Sequence, residues 1–347
     1  MERVTYIVGA GFSAPLGLPV MSNFVAKSKD LYFSNPEKYP VFKKVFDQIK
    51  ELSYAKNYYS TDLLNIEEIL SIQEMADFLE GRRLSSDFIS YIVDTISAYT
   101  PDLLPRERAA NWYSHVFGGS RDTEALGLFV ASLLGITFES GEGTRIVDDT
   151  VNNTKYSVIS LNYDMVFENY ADFLSSTFES SQANNLSFET DSYDPEWRNC
   201  HLAKLHGSVH NGDIVPPTWA KGTHPSIVNT WKNAYQILKN SNHIRFVGYS
   251  LPVADSYLKY LLKSAVVDAP HLKSLDVICL DGYGDVRKRY ESFFSLSSFR
   301  FKNASITDLA IAIAKGSFLA TADIRGGLSH FRNAEKVYDE FMRSQGV

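Results

Sequence analysis

The sequence predicts an α/β fold: a mostly parallel sheet with helices on both faces, plus a helical insertion. Three observations predict it. Short apolar runs rich in β-branched residues recur along the chain, and each stops at a glycine or a polar turn. Segments with helical apolar spacing lie between them, the alternation that builds parallel sheets. The stretch from Tyr39 to Gly135 carries helical spacing without a comparable strand pattern.

The first run is Val4 to Val8, ended by Gly9-Ala10-Gly11. Pro19 then opens a helix through Val20, Phe24, Val25 and Leu31, since proline is preorganised for a first helical turn. Four helices follow. The first passes through Val41, Phe42, Val45, Phe46, Ile49 and Leu52. The second passes through Ile66, Ile69, Leu70 and Phe78, with Asn65 and Glu68 as its capping pair. Phe88, Ile89, Ile92, Val93 and Ile96 mark the third, and Leu126, Phe129, Val130, Leu133 and Leu134 the fourth. They define a helical insertion, residues 36–140, inside one domain spanning 1–347.

Tyr156 to Leu161 returns to a strand, followed by a helix through Met165, Val166, Tyr170 and Leu174. Ser175 to Asp194 is polar and reads as a surface loop. Leu202 to Leu205 is a strand, His224 to Asn240 a helix, and Ile244 to Val247 a strand stopping at Gly248. A helix through Tyr257, Leu258, Leu261 and Leu262 leads to the strand Leu275 to Leu280, which Asp281-Gly282 ends; the remainder is mostly helical. A Rossmann-like sheet of this kind has right-handed crossovers and binds ligands outside the carboxyl ends of its strands.

Composition narrows the function. With 44% hydrophobic and 22% charged residues, the 347-residue chain folds rather than staying disordered. A net charge of −7 gives no general attraction to nucleic acid or anionic membranes. Two cysteines, Cys200 and Cys279, exclude a cysteine-only zinc knuckle and a disulfide scaffold, and fit buried thiols in a reducing compartment. No apolar run approaches the ~20 residues that span a bilayer. The first ten residues lack the features of a signal peptide. A cytoplasmic protein without a metal site is expected, since no His, Cys, Asp or Glu spacing forms one.

The chemistry-bearing segments fall at strand ends. In Gly9-Ala10-Gly11-Phe12-Ser13, glycines let a backbone approach a pyrophosphate and Ser13 adds a hydroxyl; a tight strand-to-helix turn uses the same residues. In Asn162-Tyr163-Asp164, the Asn amide would hold a ribose hydroxyl or a water, while Asp164 would bind an amide or cap the next helix. His206, in Leu205-His206-Gly207-Ser208, suits a general base near neutral pH. Gly248-Tyr249-Ser250 supplies another glycine turn, and Asp281 is a candidate acceptor for ribose hydroxyls or a surface-turn residue.

Taken together and in order, these segments, with Gly17-Leu18-Pro19, resemble the sirtuin signature: a Gly-Ala-Gly turn followed by Gly-Ile-Pro, an Asn-Ile-Asp segment, a catalytic His-Gly and a Gly-Thr-Ser turn. The resemblance spans Tyr6 to Asp281 and leaves out the insertion and the last sixty or so residues. Sirtuin deacylases carry two Cys-x-x-Cys pairs after the His; here no cysteine lies between His206 and Gly248, and Val20-Met21-Ser22 replaces the usual Phe-Arg. The remaining pattern is similar to the sirtuin-like NADases of bacterial antiphage defence, which lack the zinc module and deplete NAD+.

The resemblance implies that NAD+ is the substrate and that ADP-ribose and nicotinamide are the products. Gly9, Ala10, Gly11, Phe12, Ser13, Gly248, Ser250 and Asp281 would bind it, and Asn162, Asp164 and His206 would face the nicotinamide end. It also implies control by homo-oligomerisation, a phage-sensing protein or a HerA-type ATPase partner. An NAD-dependent deacylase or ADP-ribosyltransferase and a non-enzymatic NAD or ADP-ribose sensor are the alternatives.

Overall fold

The computed structural model describes residues 1–54, 64–81, 84–103, 117–140, 144–148, 153–178, 186–197, 199–210, 212–215, 225–252, 255–267, 269–294, 298–318 and 333–344. Strand β1 (Glu2–Val8) leads into a single helical turn, α1 (Ala10–Ser13). After two 3-10 turns come α2 (Phe24–Ser34), α3 (Pro40–Leu52), α4 (Ile66–Glu80), α5 (Leu84–Tyr99) and α6 (Arg121–Leu133). A hairpin of β2 (Ile136–Ser140) and β3 (Thr144–Asp148) precedes β4 (Thr154–Ser160) and α7 (Val166–Thr177). Then follow β5 (His201–Lys204), a small hairpin of β6 (Gly207–Ser208) and β7 (Asp213–Ile214), α8 (Val228–Lys239), β8 (His243–Val247) and α9 (Ser256–Val266). The chain continues through β9 (Ser274–Ile278), α10 (Asp285–Phe293), β10 (Phe299–Lys302), α11 (Ile306–Ile313) and α12 (Ala334–Arg343).

Six strands form one sheet in the order β10-β9-β8-β1-β4-β5, every neighbouring pair parallel. The chain builds outward from β1 to β5 on one side, then returns to place β8, β9 and β10 on the other. The order therefore reverses between β1 and β8, the place where open parallel sheets hold ligands.

Both faces are covered, as the alternation within the strands requires. Val4, Tyr6 and Val8 join a core that includes residues of α2 to α7, α11 and α12, whereas Ile7 joins Ile159, Ala203, Phe246 and Val277 in a second core under α8, α9 and α10. Among the described residues, α3 to α6 have no separate core: Phe42, Ile69, Leu70, Tyr91 and Phe129 are continuous with the first sheet face.

That face also holds a charged cluster. Arg245 on β8, 3% exposed, makes two hydrogen bonds to Glu335 of α12 (2.9 and 2.5 Å), donates to the Tyr6 hydroxyl at 2.8 Å and lies 3.4 Å from the Tyr338 ring centre. Asp276 on β9 accepts two hydrogen bonds from Arg300 of β10, both 2.7 Å, and one from the Tyr338 hydroxyl at 3.1 Å. Two buried charges on neighbouring strands are thus matched, and α12 is tied to the sheet.

Three expectations need correction. Pro19 does not open a helix: α2 starts at Phe24, behind a 3-10 turn in which the Asn23 side chain accepts the Val20 N–H at 2.8 Å. The hairpin β2–β3 was not expected. Nor was β10, in a region read as helical: Phe299-Arg300-Phe301-Lys302 forms an edge strand whose charges engage Asp276 and α12. His224, placed by the sequence at a helix start, lies outside the described residues.

At the reversal the two strand ends meet backbone to backbone. Gly9 N–H donates to Val247 O at 3.1 Å and Gly11 N–H to Gly248 O at 2.9 Å. Gly248 has φ +62°, and a Cβ there would lie 2.4 Å from Gly11 C and Phe12 N. Gly248→Ala should therefore lower stability by about 2–4 kcal/mol in urea unfolding, from left-handed backbone strain and overpacking together. Gly17→Ala, at φ +92° with nothing within 4 Å of the new Cβ, carries only the backbone cost, about 1 kcal/mol.

Candidate functional site

The carboxyl ends of β1, β4 and β5 are stitched together by main-chain bonds. Leu161 N–H donates to Val8 O, Leu205 N–H to Ser160 O, and Val209 N–H to Tyr163 O, at 2.9, 3.0 and 2.9 Å. Asn162, Tyr163 and Asp164 are thereby held beside both the glycine turn and the His206 turn.

Asn162, 8% exposed, reaches across to β1. Its Nδ2 donates to Gly9 O at 3.0 Å and to Ser13 Oγ at 3.3 Å, while its own N–H donates to Ser160 Oγ at 3.1 Å. Among the described residues its Oδ1 takes no hydrogen bond. Asp164 accepts the Val166 N–H at 3.1 Å from one residue before the α7 N-cap, Met165, so it holds the turn into the helix without being its cap. Burial raises its carboxyl above the ordinary range, against the opposing pull of the Ser13 hydroxyl and Lys204. Lys204, at the end of β5, donates to the Asp164 carbonyl, to Glu168 at 3.1 Å and to Ser208 Oγ at 3.0 Å.

His206 is 3% exposed. Its Nδ1 lies 3.7 Å from Glu67 Oε1, and its ring centre 5.9 Å from that of Tyr163. The Tyr163 hydroxyl donates to the same Glu67 oxygen at 3.2 Å. Burial first, then Glu67, Asp255 and Glu74, push the Tyr163 hydroxyl well above its ordinary pKa, so it stays a donor. Tyr249, on the β8 side, donates to Asp255 Oδ2 at 2.8 Å and is shifted the same way.

The candidate binding residues divide. Gly9, Gly11 and Gly248 form the crossing described above, and Phe12 N–H donates to Gly9 O at 2.8 Å. Ala10 is the exposed residue of that turn. Phe12 is buried and stacks on Phe167, centres 4.7 Å apart, so its side chain serves the core. Ser13 is buried with Asn162 and Asp164. Ser250 is exposed, its carbonyl accepting Arg289 Nε at 2.9 Å. Asp281 caps the start of α10 by accepting the Arg287 N–H at 2.9 Å. Partial desolvation opposes ionisation there, but the N–H groups of Arg287, Val286, Gly284 and Asp285 outweigh it and hold the carboxyl low.

Sequence reasoning missed Glu67 and Lys204. The Asn65 cap placed Glu67 in a first helical turn, and the structure shows Asn65 Oδ1 accepting the Glu67 and Glu68 N–H groups, both at 3.1 Å. Nothing in chain order says that this turn meets Tyr163, 96 residues on. Among the described residues, no group of three or more His, Cys, Asp or Glu side chains is placed to hold a metal ion, and no helix is long and apolar enough to cross a membrane. Cys200 and Cys279 are both free and buried; burial pushes both thiols up, Cys279 to about 11.

No protein-family model and no curated protein matches this chain. Among solved structures it is similar to Sir2 in complex with the inhibitor EX-527, 2′-O-acetyl-ADP-ribose and a deacetylated p53 peptide, with 11% identity, a TM-score of 0.36, and 90% of this chain and 93% of that one covered. It is also similar to Sir2Tm bound to a propionylated peptide, with 11% identity, a TM-score of 0.36 and coverage of 90% and 92%. A structure concerning sirtuin substrate affinity gives 11% identity, a TM-score of 0.31 and coverage of 91% and 92%.

Glu74, on the same helix as Glu67, gives a pH test. Burial and Asp77 raise its carboxyl from 4.5 to about 7. A carboxyl with a raised folded pKa favours folding when protonated, so its contribution falls as pH rises from about 4.5 to about 7. Glu74→Gln should unfold a few degrees higher than the parent at pH 8, and the two melting temperatures should converge below pH 4.5.

Proposed function

We propose that the protein is an NAD+ glycohydrolase, cleaving NAD+ to ADP-ribose and nicotinamide, and that it acts in antiphage defence by depleting NAD+. The observation that carries this reading is the meeting of Asn162 with Gly9 and Ser13 across β1 and β4, with buried His206 on the neighbouring turn. These are the residues that carry the sirtuin-like motifs, and they lie at the carboxyl ends of the strands. A pyrophosphate would meet the turn at Ala10, which faces solvent, while Gly9, Gly11 and Gly248 are packed closely around it.

In this reading Asn162 Oδ1 accepts a hydrogen bond from the attacking water or a ribose hydroxyl, its Nδ2 being fixed by Gly9 and Ser13. Asp164 shapes the loop by holding the Val166 N–H at the start of α7. The C1′–N bond breaks with its electron pair leaving on neutral nicotinamide. Water bonds to C1′, and its proton passes to His206. A positioned base of this kind supplies about 10²–10⁴-fold in rate. Deacylation would need a platform for an acyl-lysine peptide, which sirtuins build beside two Cys-x-x-Cys pairs that this sequence lacks.

Unrestrained NAD+ hydrolysis harms its host, so activity is coupled to assembly, through self-association or a partner such as a HerA-type ATPase. Met75, Phe78 and Leu79, exposed at the far end of α4, would serve as a contact.

Chromatography of NAD+ incubated with the protein, alone and with the product of a neighbouring gene, should show equal release of nicotinamide and ADP-ribose. His206→Ala and Asn162→Ala should each lower turnover at least about 10²-fold. Their melting temperatures should stay near the parent's. Release of an acyl group from a lysine peptide, or tight ADP-ribose binding without turnover, would overturn the proposal.

A further inference from the structure

We infer that Glu67 is the positioning residue for His206, a carboxylate delivered by the helical insertion; the inference rests on the NAD+ glycohydrolase reading of the site. Glu67 Oε1 sits between two groups of the site, 3.7 Å from His206 Nδ1 and accepting the Tyr163 hydroxyl at 3.2 Å. Its main chain is fixed at both polar ends: Asn65 Oδ1 accepts its N–H at 3.1 Å, and its carbonyl accepts Ser71 Oγ at 2.7 Å. The carboxylate also lies in the first turn of α4, where the helix dipole favours negative charge.

At 3.7 Å the contact is electrostatic and not a hydrogen bond: the Glu67 carboxylate favours a proton on the Nδ1 it faces, which leaves the lone pair on Nε2. When Nε2 takes the proton from the attacking water, the same carboxylate stabilises the imidazolium, while the C1′–N electron pair leaves with nicotinamide. Glu67 touches neither substrate nor water; it acts through His206.

Among the described residues, the other carboxylates near this cluster act with the same sign as Glu67, and one cation, Lys204, opposes them. Asp255 and Glu74 bear on Tyr163, and Asp255 and Glu67 on Tyr249. Lys204, on the neighbouring strand, is engaged by the Asp164 carbonyl, Glu168 and Ser208. Among the described residues, Glu67 is the carboxylate within ion-pair distance of the imidazole. Its removal therefore lowers the His206 pKa.

The test pairs two readouts on Glu67→Gln, an isosteric change, and Glu67→Asp. The first is the NMR titration of the His206 ring Cε1–H, assigned by its loss in His206→Gln. The second is the pH profile of NAD+ turnover. In Glu67→Gln the His206 midpoint should fall by about one unit, and the acid limb of kcat/KM should move to lower pH by the same amount. At the plateau kcat should fall about 10²-fold with KM changed by less than about threefold. Glu67→Asp should restore part of the midpoint and part of kcat. A folded Glu67→Gln protein whose His206 midpoint is unmoved overturns the inference, as does a fall in kcat with an unmoved acid limb, the mark of a merely structural role. If the midpoint falls but the parent hydrolyses no NAD+ even with its partner, the Glu67–His206 pairing stands and the reading of the reaction fails.

Discussion

The carboxyl side of the sheet is organised around one steric constraint, the backbone contact between the β1 and β8 turns. Gly11 and Gly248 pack so closely that neither position admits a Cβ, and their peptide groups are hydrogen-bonded across the gap. The strand order reverses there, and the contact carries the β1–β8 pairing on past the strand ends into the two turns. The Asn162 amide exploits the contact, since the Gly9 carbonyl it binds is held in place by the same turn. The contact also limits what the turn offers a ligand. With the Gly9 and Gly11 N–H groups committed to β8, an incoming phosphate would meet chiefly the exposed Ala10.

A second constraint comes from the insertion. Its helices continue the hydrophobic core of one sheet face instead of standing apart from it. Packing α4 into that core carries its first turn to the rim of the site, where Glu67 meets Tyr163 and His206. Carboxylates from two separate segments, Glu67 and Glu74 on α4 and Asp255 before α9, then bear on the two buried tyrosines, Tyr163 and Tyr249. Carboxylates gathered around partly buried groups favour positive charge beside them.

How much of this could be read from sequence depends on how local the signal is. The β1 turn was legible because a β-branched run stops at Gly9-Ala10-Gly11 within a few residues, and α4 because Asn65 caps it within one turn. Asn162 and His206 were legible as motifs at strand ends. Strand β10 was not, because Arg300 and Lys302 occupy alternating positions whose partners, Asp276 and Ser344, are supplied only by tertiary structure. The helix expected at Pro19 failed for a local reason, since Asn23 binds back to Val20 and tightens the chain into a 3-10 turn. Asp281 shows the opposite limit: its place after β9 was read correctly, but the N–H groups of α10 that engage it come from the next element. Glu67 was invisible because its role arises from packing alone.

The charged cluster beneath α12 has a consequence for the order in which the chain matures. Arg245 is buried in a strand at the middle of the sheet, yet the carboxylate that neutralises it, Glu335, lies 90 residues later. On a ribosome, all six parallel strands and every described helix before α12 would be made before that partner exists. Until then the nascent sheet would carry a guanidinium with no matching charge in its interior, a cost of several kcal/mol. The final helix thus acts as a completion check on the domain: a chain cut short of it keeps the chemistry-bearing loops but not a settled sheet beneath them.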